Sequence, residues 1–503
     1  MRGEVFIGID AGTTALKAAA FDAGTGRTLA RAEVRLPVAA GADGSREQDP
    51  AALTGALHGA IGDLRRQLGR RRNDIAGVGL AAQGGSGMFV EPRTGIPRTR
   101  LMLWNDVRPF RYLARLTRTH PPSYWRRHTF RDGPGQGLGR FLWLKETSPE
   151  LLRGAYLHVG VGEYLYFRLT GVWRQDPCHA LQTGCYNVPR RRLDQRLLDL
   201  VGLPLSLVAP LREGHAVEPL AKSAARRLGL PEGIPVAGPY MDHEAGYLSA
   251  LGVSARPLQC SLGTAWVGNY ALPLSARWRS PVQLVLPALA GDGWLVVQPL
   301  LTGNVTWDWA LAQWADADHA RALGKLDELF AHDPLPPEGL TALPWFNWPN
   351  PLAPGAHGGG ALLGLSPRTQ PAELLRAVAA AMAFETFRVF REVARRRTVD
   401  AVVLSGGASR GAFFRALLAG LFAPLPVFAL EEPGVGGARG TLYPFSPRLA
   451  RAVSARVPPP RGRLAERIAR GLRLYLAVFE RLYGRVSAGT PIAFPENVKG
   501  SRA

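Results

Sequence analysis

Apolar and polar positions follow strand-like and then helix-like periods along the first part of the chain. Two short apolar runs, Val5–Ile9 and Leu16–Phe21, are followed by a turn-rich segment and a third run at Thr28–Leu36. Neighbouring strands joined by tight turns pair with each other, so these runs predict an antiparallel meander. Between Leu53 and Leu68, leucine and isoleucine recur every three or four residues, which predicts a helix with one apolar face. The next run, Ile75–Ala81, is predicted as the strand against which that helix packs.

The second half of the chain repeats this order. Strand-like runs at Leu258–Leu262 and Trp266–Tyr270 enclose a Gly-Thr turn, a strongly periodic helix follows at Leu374–Val393, and Ala401–Leu404 reads as a buried strand. The alternation of strands and helices predicts an α/β protein with two related halves. We predict one domain over residues 1–248, a second over 249–450, and a C-terminal helix with a loose tail over 451–503.

Composition excludes several classes of protein. The chain has 503 residues, 46% of them hydrophobic, which is enough for two or three domains with real cores. Its net charge of +21 comes mostly from scattered arginines, which indicates a solvated basic surface and not a nucleic-acid site. Three cysteines without a CxxC pair indicate a reducing compartment. Since no apolar run reaches the ~18 residues of a membrane span, we predict a cytoplasmic protein without a membrane partner.

A turn with phosphate-binding character ends the first strand. In Asp10-Ala11-Gly12-Thr13-Thr14, a carboxylate is followed by small residues that let the backbone approach a ligand, and then by two hydroxyls. Successive N–H groups in such a turn can form an anion-binding nest. The carboxylate would repel a phosphate, so its expected role is to hold Mg²⁺. A plain hairpin turn uses the same residue types, and the motif alone leaves that alternative open.

Two glycine turns in the second half could contact the same ligand. Gly263-Thr264 repeats the Gly-Thr pattern, and a pair of such turns could clamp a triphosphate from two sides. Gly406-Gly407 follows a buried strand and precedes a helix, where it could leave room for a planar base. Each of these turns is also common in proteins that bind nothing there.

Two further segments carry candidate chemistry. Asp242 follows an apolar strand and opens a helix, where it could accept the proton of a substrate hydroxyl or serve as a helix N-cap. The two roles are compatible. Trp104, Asn105 and Asp106 combine an aromatic face with amide and carboxylate groups, as sugar-binding sites do. A buried tryptophan beside a surface salt bridge would give the same pattern.

Taken in order, these segments resemble the FGGY carbohydrate kinases of the actin-like ATPase superfamily. The resemblance covers roughly residues 4–445, and within the family it is nearest to the xylulokinases. The matching segments are IGIDAGTTALKAAAFD, EQDP, LWNDVR, RFLWLKETSPELL, YLYFRLTG, the segment around Asp242, the Gly263-Thr264 turn and VVLSGGASRGAFFRALLAGL. Each motif is weak alone, but the ordered set is specific.

The resemblance implies a fold, a reaction and a set of roles. The fold is two actin-like (ribonuclease H-like) domains with a catalytic cleft between them, and the reaction transfers a phosphoryl group from ATP, with Mg²⁺, to a sugar or polyol. Asp242 would be the base and Asp10 would hold the metal. A homodimer is one possible assembly of this chain. The nucleotide would contact Asp10, Gly12, Thr13, Thr14, Gly263, Thr264, Gly406 and Gly407, and the sugar would contact Gln83, Trp104, Asn105, Asp106 and Asp242.

Several departures from the xylulokinase pattern lie on the substrate side. Gly84-Gly85-Ser86 stands where xylulokinases have Met-His-Gly, and His243 stands where they have asparagine. Asn347–Asn350 replaces a Gly-Glu-Arg sequence, and a late glycine–alanine motif reads Gly436–Arg439. Xylulose is therefore only the leading expectation. A degenerate relative that binds a sugar or nucleotide without catalysis is the alternative.

Overall fold

The computed structural model describes residues 3–276, 283–290, 292–300, 302–315, 326–331, 333–346, 360–396 and 398–483. The Asn347–Asn350 departure and the part of the predicted tail beyond residue 483 lie outside these ranges. Within them, no helix is long and apolar enough to cross a membrane.

The first half contains a central six-stranded sheet with helices on its faces. The strands of this half, including those outside the central sheet, are β1 (Val5–Ala11), β2 (Ala15–Asp22), β3 (Thr28–Arg35), β4 (Ala39–Ala40), β5 (Arg46–Gln48), β6 (Ile75–Ala82), β7 (Met88–Val90), β8 (Leu101–Met102), β9 (Leu157–Val159), β10 (Tyr186–Asn187), β11 (Arg192–Leu193), β12 (Val217–Pro219) and β13 (Pro235–Met241). Its helices are α1 (Pro50–Leu68), α2 (Phe110–Thr119), α3 (Pro122–Thr129), α4 (Gln136–Thr147), α5 (Val161–Thr170), α6 (Pro177–Thr183), α7 (Gln195–Asp199), α8 (Lys222–Leu228) and α9 (Asp242–Ala250).

The second half contains a seven-stranded sheet. The strands of this half, including β18 and β19 outside that sheet, are β14 (Pro257–Leu262), β15 (Trp266–Leu272), β16 (Leu284–Pro287), β17 (Trp294–Pro299), β18 (Thr341–Leu343), β19 (Ala361–Leu363), β20 (Ala401–Ser405), β21 (Val427–Leu430) and β22 (Ser454–Val457). Its helices are α10 (Asn304–Trp314), α11 (Pro371–Arg395), α12 (Ala412–Phe422), α13 (Gly436–Gly440), α14 (Pro447–Ala450) and α15 (Gly462–Tyr483).

The two central sheets share one pattern of strand pairing, although the edge strand β12 precedes its neighbour β13 in the chain while β22 follows β21. In the first, the order β3-β2-β1-β6-β13-β12 joins an antiparallel meander to two parallel strands and an antiparallel edge strand. In the second, β17-β15-β14-β20-β21-β22 repeats that order, with β16 added at one edge. The predicted meander of the first half is confirmed, and the repeated Gly-Thr turns connect equivalent strands of the two sheets.

Helix α1 begins and runs as its sequence predicts. The Asp49 carboxylate accepts a hydrogen bond from the Ala51 N–H, and Pro50 occupies the first helical position. Its leucines are buried, as the periodicity requires. The prediction that it packs against the Ile75–Ala81 strand is wrong in detail. The helix lies mainly on β2 and β3, because α5 covers β6 and β13.

The last part of the chain contains more than the predicted helix and tail. Strand β22 pairs antiparallel with β21 and completes the edge of the second sheet. Helix α15 packs on α11 and α12, and its Tyr475 hydroxyl donates to Glu385 over 2.8 Å. The predicted domain boundary after residue 248 falls within the last turn of α9, which lies between the two sheets along the chain.

Helix α13 joins the two halves by backbone contact. It belongs to the second half by sequence, yet it packs on α9 and on β1. A Cβ added at Gly8 would lie 2.0 Å from the Ala438 carbonyl oxygen, and one at Gly440 would lie 1.7 Å from the Ala245 carbonyl oxygen. The Arg439 guanidinium reaches further, donating to the Gly26 carbonyl over 2.7 Å. Glycine at both positions therefore allows the two halves to touch.

We predict that Gly8→Ala lowers the free energy of unfolding by about 2–3 kcal/mol, because the new methyl group must displace the α13 backbone. The thermal unfolding midpoint would report this loss. Gly55→Ala in α1 is the matched control, since a Cβ there meets no atom within 4 Å. That control is expected to gain about 0.5–1 kcal/mol from helix propensity. A Gly8→Ala protein as stable as the parent would contradict the tight contact.

Candidate functional site

A deep cleft lies between the two sheets, at the ends of the strands that carry the predicted motifs. It holds about 1700 Å³ of empty space, including solvent at its mouth. Nearly all of the predicted site residues meet in its lining, although they are far apart in sequence. They are Asp10, Gly12, Thr13, Thr14, Gln83, Trp104, Asp242, Gly263, Thr264, Gly406 and Gly407.

Asn105 and Asp106 are predicted substrate residues that lie outside this lining. The Asp106 side chain is fully buried and forms an ion pair with Arg108 at 2.6 Å. Its carboxylate also accepts the Arg46 backbone N–H over 3.0 Å. These bonds occupy the carboxylate in holding the loop that carries Trp104. The structure thus gives Asp106 the salt-bridge role that the sequence had left as the alternative reading.

The carboxylate of Asp10 lies at the floor of the cleft, where β1 ends. Its Oδ1 atom is buried and has no hydrogen-bond partner among the described residues. Its Oδ2 atom lies beneath Gly437 of α13, where a Cβ would be only 2.3 Å away. Lys17 is the residue paired with Asp10 across the β1–β2 ladder. An unpaired, buried carboxylate oxygen that faces a cleft fits the coordination of a cation.

Burial strongly affects the ionisation of Asp10. Desolvation, and then the nearby charge of Asp242, raise the pKa of Asp10 to about 7, while Lys17 acts in the opposite direction. The ligand-free cleft therefore disfavours the ionised form of this carboxylate. A cation bound there would reverse that preference.

A chain of hydrogen bonds connects the first phosphate turn to the predicted sugar-binding residues. The Trp104 indole N–H donates to the Thr13 hydroxyl over 3.0 Å, and that hydroxyl donates to the Gln83 side-chain oxygen over 2.9 Å. Ser86 also donates to the Gln83 oxygen, over 3.1 Å, and accepts the Trp104 backbone N–H. The Thr13 hydroxyl hydrogen is thus directed at Gln83 in the ligand-free protein, which places Thr13 between the two predicted subsites.

Side-chain amides supply polar groups at the substrate end of the cleft. The Gln83 nitrogen and the Gln182 oxygen are buried, and neither has a partner among the described residues. Gln182 approaches so closely that a Cβ at Gly84 would lie 2.2 Å from its oxygen. Gly85 has a φ of 77°, and a Cβ there would lie 2.2 Å from the Gln136 nitrogen. The two glycines therefore admit Gln182 and Gln136 to the pocket.

Asp242 occupies the first turn of α9, and its side chain is 30% exposed. One carboxylate oxygen accepts the His243 backbone N–H over 2.8 Å, and the other is free to face the cleft. Met241 precedes the helix, so Asp242 is the first helical residue and not the N-cap itself.

The second sheet supplies the opposite wall of the cleft. Gly263 and Thr264 form the turn between β14 and β15, equivalent to the turn after β1. Gly406 has a φ of 83°, and a Cβ there would lie 2.7 Å from the Leu262 carbonyl carbon. Both its conformation and this close approach require glycine. Beside it, the Ser405 hydroxyl accepts a hydrogen bond from Gln259 over 2.7 Å.

Several lining residues were missed by the sequence analysis. Lys17 could have been found from the predicted meander, because it lies opposite Asp10 across two short strands. Gly437 could have been found from the late glycine–alanine motif. Arg131, Gln136 and Gln182 also line the cleft, but they lie in a helical region between the motifs, and no spacing marks them.

Comparison with known proteins decides the family. The model for the FGGY family of carbohydrate kinases, N-terminal domain, matches residues 5–249, and the model for its C-terminal domain matches residues 258–443. The chain belongs to the FGGY family of carbohydrate kinases. This carbohydrate kinase transfers a phosphoryl group to an alcohol of its substrate, as its family does.

Several relatives named for their substrates are similar to this kinase over most of its length. It is 27% identical over 467 residues to an erythritol kinase from Brucella abortus, covering 87% of this chain and 86% of the relative. It is 24% identical over 421 residues to a xylulose kinase from Bacillus subtilis, covering 83% of each. A xylulose kinase structure from Rhodospirillum rubrum superposes with a TM-score of 0.81 at 22% identity, covering 95% of this chain and 99% of that one. The expected fold of two actin-like domains is confirmed.

We predict that Asp10→Asn stabilises the metal-free, nucleotide-free kinase above neutral pH. The pKa of Asp10 is about 7 in the folded chain, against 3.8 for an ordinary aspartate. The folded state therefore binds this proton more tightly, and its stability falls as pH rises between those two values. The variant lacks this penalty and should be more stable than the parent at about pH 8, by on the order of 3 kcal/mol.

The measurement is urea unfolding with a chelator present, at about pH 4 and about pH 8. The difference between variant and parent should shrink toward zero at the acidic pH, where both side chains are neutral. The Asp63→Asn change in α1 is the control, because this half-exposed side chain pairs with Arg66 and lies outside the cleft lining, and it should show no such pH dependence. Equal stabilities of Asp10→Asn and parent at both pH values would contradict the raised pKa.

Proposed function

We propose that this kinase uses ATP to phosphorylate a hydroxyl of a sugar or polyol in the cleft between its domains, with Asp242 as the base. One observation carries the proposal. The cavity that holds both Gly-Thr turns and the Asp242 carboxylate also holds the buried Gln83 amide nitrogen and Gln182 amide oxygen, which have no partner in the described parts of the chain. Buried polar groups without partners are costly, and the hydroxyls of a polyol can both donate to them and accept from them.

The nucleotide side of the proposal rests on the two Gly-Thr turns. Neither Gly12 nor Gly263 has a positive φ, and a Cβ at either would meet its nearest neighbouring atom at 3.4 Å or more. Since the fold itself does not demand glycine there, the missing side chains leave space in the cleft. That space suits phosphates held by backbone N–H groups. Gly406 and Gly407 line the same cavity and would lie beside the adenosine.

Asp10 is the residue proposed to hold Mg²⁺, through its buried and unpaired Oδ1 atom. The ion, when bound, would neutralise charge on the transferring phosphoryl group. A magnesium site of this kind needs only one or two protein carboxylates, because phosphates and water complete the shell. Lys17, paired with Asp10 across the ladder, adds a fixed positive charge at the same end of the cleft.

Asp242 is proposed to accept the proton of the attacking hydroxyl. The new bond forms between the substrate oxygen and the γ-phosphorus, and the bond from that phosphorus to the bridging oxygen breaks, so that ADP leaves with the electron pair. The proton passes to the Asp242 carboxylate. Closure of the two domains would exclude water, which otherwise competes as the acceptor.

The identity of the substrate is the finer part of the proposal. Xylulose and erythritol are candidates because relatives named for these substrates cover most of the chain. Gly84 and Gly85 change the pocket relative to the xylulokinase pattern by admitting Gln182 and Gln136. The non-catalytic alternative has no structural feature in its favour, because Asp10 and Asp242 both face the cleft. A cytoplasmic location and a homodimer stay predictions; the three cysteines are buried free thiols, which suits a reducing compartment.

We predict that Asp242→Asn lowers kcat by about 100- to 10 000-fold, because the amide cannot accept the hydroxyl proton. ADP release over a panel of ketoses, polyols and glycerol would identify the substrate first and then measure the loss. Affinity for an ATP analogue should remain within about threefold of the parent. Asp63→Asn serves as the surface control. Near-normal turnover by Asp242→Asn would rule out the role of base.

A further inference from the structure

Arg131 places a positive charge at the substrate end of the cleft. It lies between α3 and α4 and lines the cavity together with Gln136 and Gln182. Cys178, which is near enough to interact electrostatically with Arg131, belongs to α6, the helix that also carries Gln182. Both glutamines approach the glycine turn that follows Gln83, so this part of the lining is the predicted sugar side.

A strained turn directs Arg131 into the cavity. Phe130, at the end of α3, has a φ of 56°, in the left-handed region that bulky residues rarely adopt. Its ring packs edge-on against Trp294 of the second domain, with ring centroids 5.5 Å apart. Strained backbone that persists is often held by the surrounding structure for a functional reason. Here the consequence is a guanidinium placed where the two domains meet.

The guanidinium has no partner within the part of the chain that the structure describes. Its Nε atom is buried and unbonded, and no carboxylate forms an ion pair with it there. Other arginines of the same half that are buried or half-buried do have partners: Arg108 with Asp106, Arg140 with the Gly85 carbonyl, and Arg212 with Glu244. Desolvation lowers the pKa of Arg131 to about 10, so it is still a cation at neutral pH. The side chain is half-buried, and an anion that enters the cleft would form charge-assisted hydrogen bonds with it.

We propose that Arg131 binds a carboxylate of the substrate, so that this kinase acts on a sugar acid, such as an aldonate, in preference to the neutral polyol. A guanidinium and a carboxylate form paired, charge-assisted hydrogen bonds, while a hydroxyl would leave the charge uncompensated. The Gln83 and Gln182 amides would hold the hydroxyls of the same molecule. This inference rests on the proposed function, because it names the substrate class of the same site.

The test compares acids with alcohols of matched length and configuration on the full chain. Suitable pairs are D-gluconate with D-glucitol, D-xylonate with xylitol, and D-erythronate with erythritol, assayed by ADP release. For at least one pair, kcat/KM should be about 100-fold higher for the acid. Arg131→Met should raise the KM for that acid by about 100-fold with kcat little changed, and should leave the alcohol unaffected. Arg131→Lys should retain part of the preference.

Arg127→Met is the matched control, because this arginine is exposed on α3, beside the same turn. It should behave as the parent. If Arg131→Met fails to fold, the comparison of acid with alcohol in the parent protein still decides the question, together with Arg131→Lys. Alcohols used as well as their acids would overturn the inference. A sugar phosphate preferred over every aldonate would overturn the carboxylate assignment as well.

Calorimetric titration separates this inference from the proposed function. If no compound is phosphorylated, the proposed function fails. Aldonate binding that Arg131→Met weakens by about 100-fold, with no matching alcohol binding, would still support the carboxylate site. Absence of aldonate binding to the parent, with and without a non-hydrolysable ATP analogue, would overturn it.

Discussion

The contact between the backbone of α13 and the β1 strand is the constraint on which the active cleft depends. At Gly8 the α13 carbonyl of Ala438 lies where a side chain would otherwise be, and at Gly440 α13 meets the α9 backbone in the same way. Backbones that approach this closely leave no freedom for a gradual adjustment. The helix that follows β21 in the second domain is thereby fixed above the first sheet. The floor of the cleft is formed by this contact.

The same contact sets the electrostatics of the site. Gly437 of α13 covers Asp10, and the loss of solvent is the largest influence on its raised pKa. Asp242, held at the start of α9, adds a second negative group nearby. The negative charge of Asp242 opposes ionisation of Asp10 in this desolvated position. The divalent cation proposed for this site would offset that effect, and its binding would depend on the packing of α13 over Asp10.

The strands and glycine turns that the two halves share could be predicted well from the sequence. The helices and loops that connect the strands of the first sheet could be predicted only poorly. The period of apolar residues and the Asp49-Pro50 start were enough to locate α1, and the Gly-Thr turns were located because short strands flank them. Its packing partner was misjudged because periodicity identifies an apolar face but not the neighbour that covers it. A salt bridge in the Trp104–Arg108 segment was among the alternatives, but the bond from the Arg46 backbone to Asp106 could not be anticipated, since it forms through the folding of a loop. Strand β22 was missed because a short edge strand carries little hydrophobic signal.

The cleft residues come from two parts of the fold, and this division allows specificity to change separately from catalysis. Asp10, Asp242 and the two Gly-Thr turns are held at sheet strand ends or at the start of α9, and α13 packs on β1 and α9. Arg131, Gln136 and Gln182 instead come from helices and turns outside the central sheets, and the two glutamines enter the pocket because Gly84 and Gly85 present no side chains. A change in these outer residues alters the groups offered to the substrate without moving the carboxylates. Substrate preference can thus diverge within one family while the geometry of phosphoryl transfer is kept.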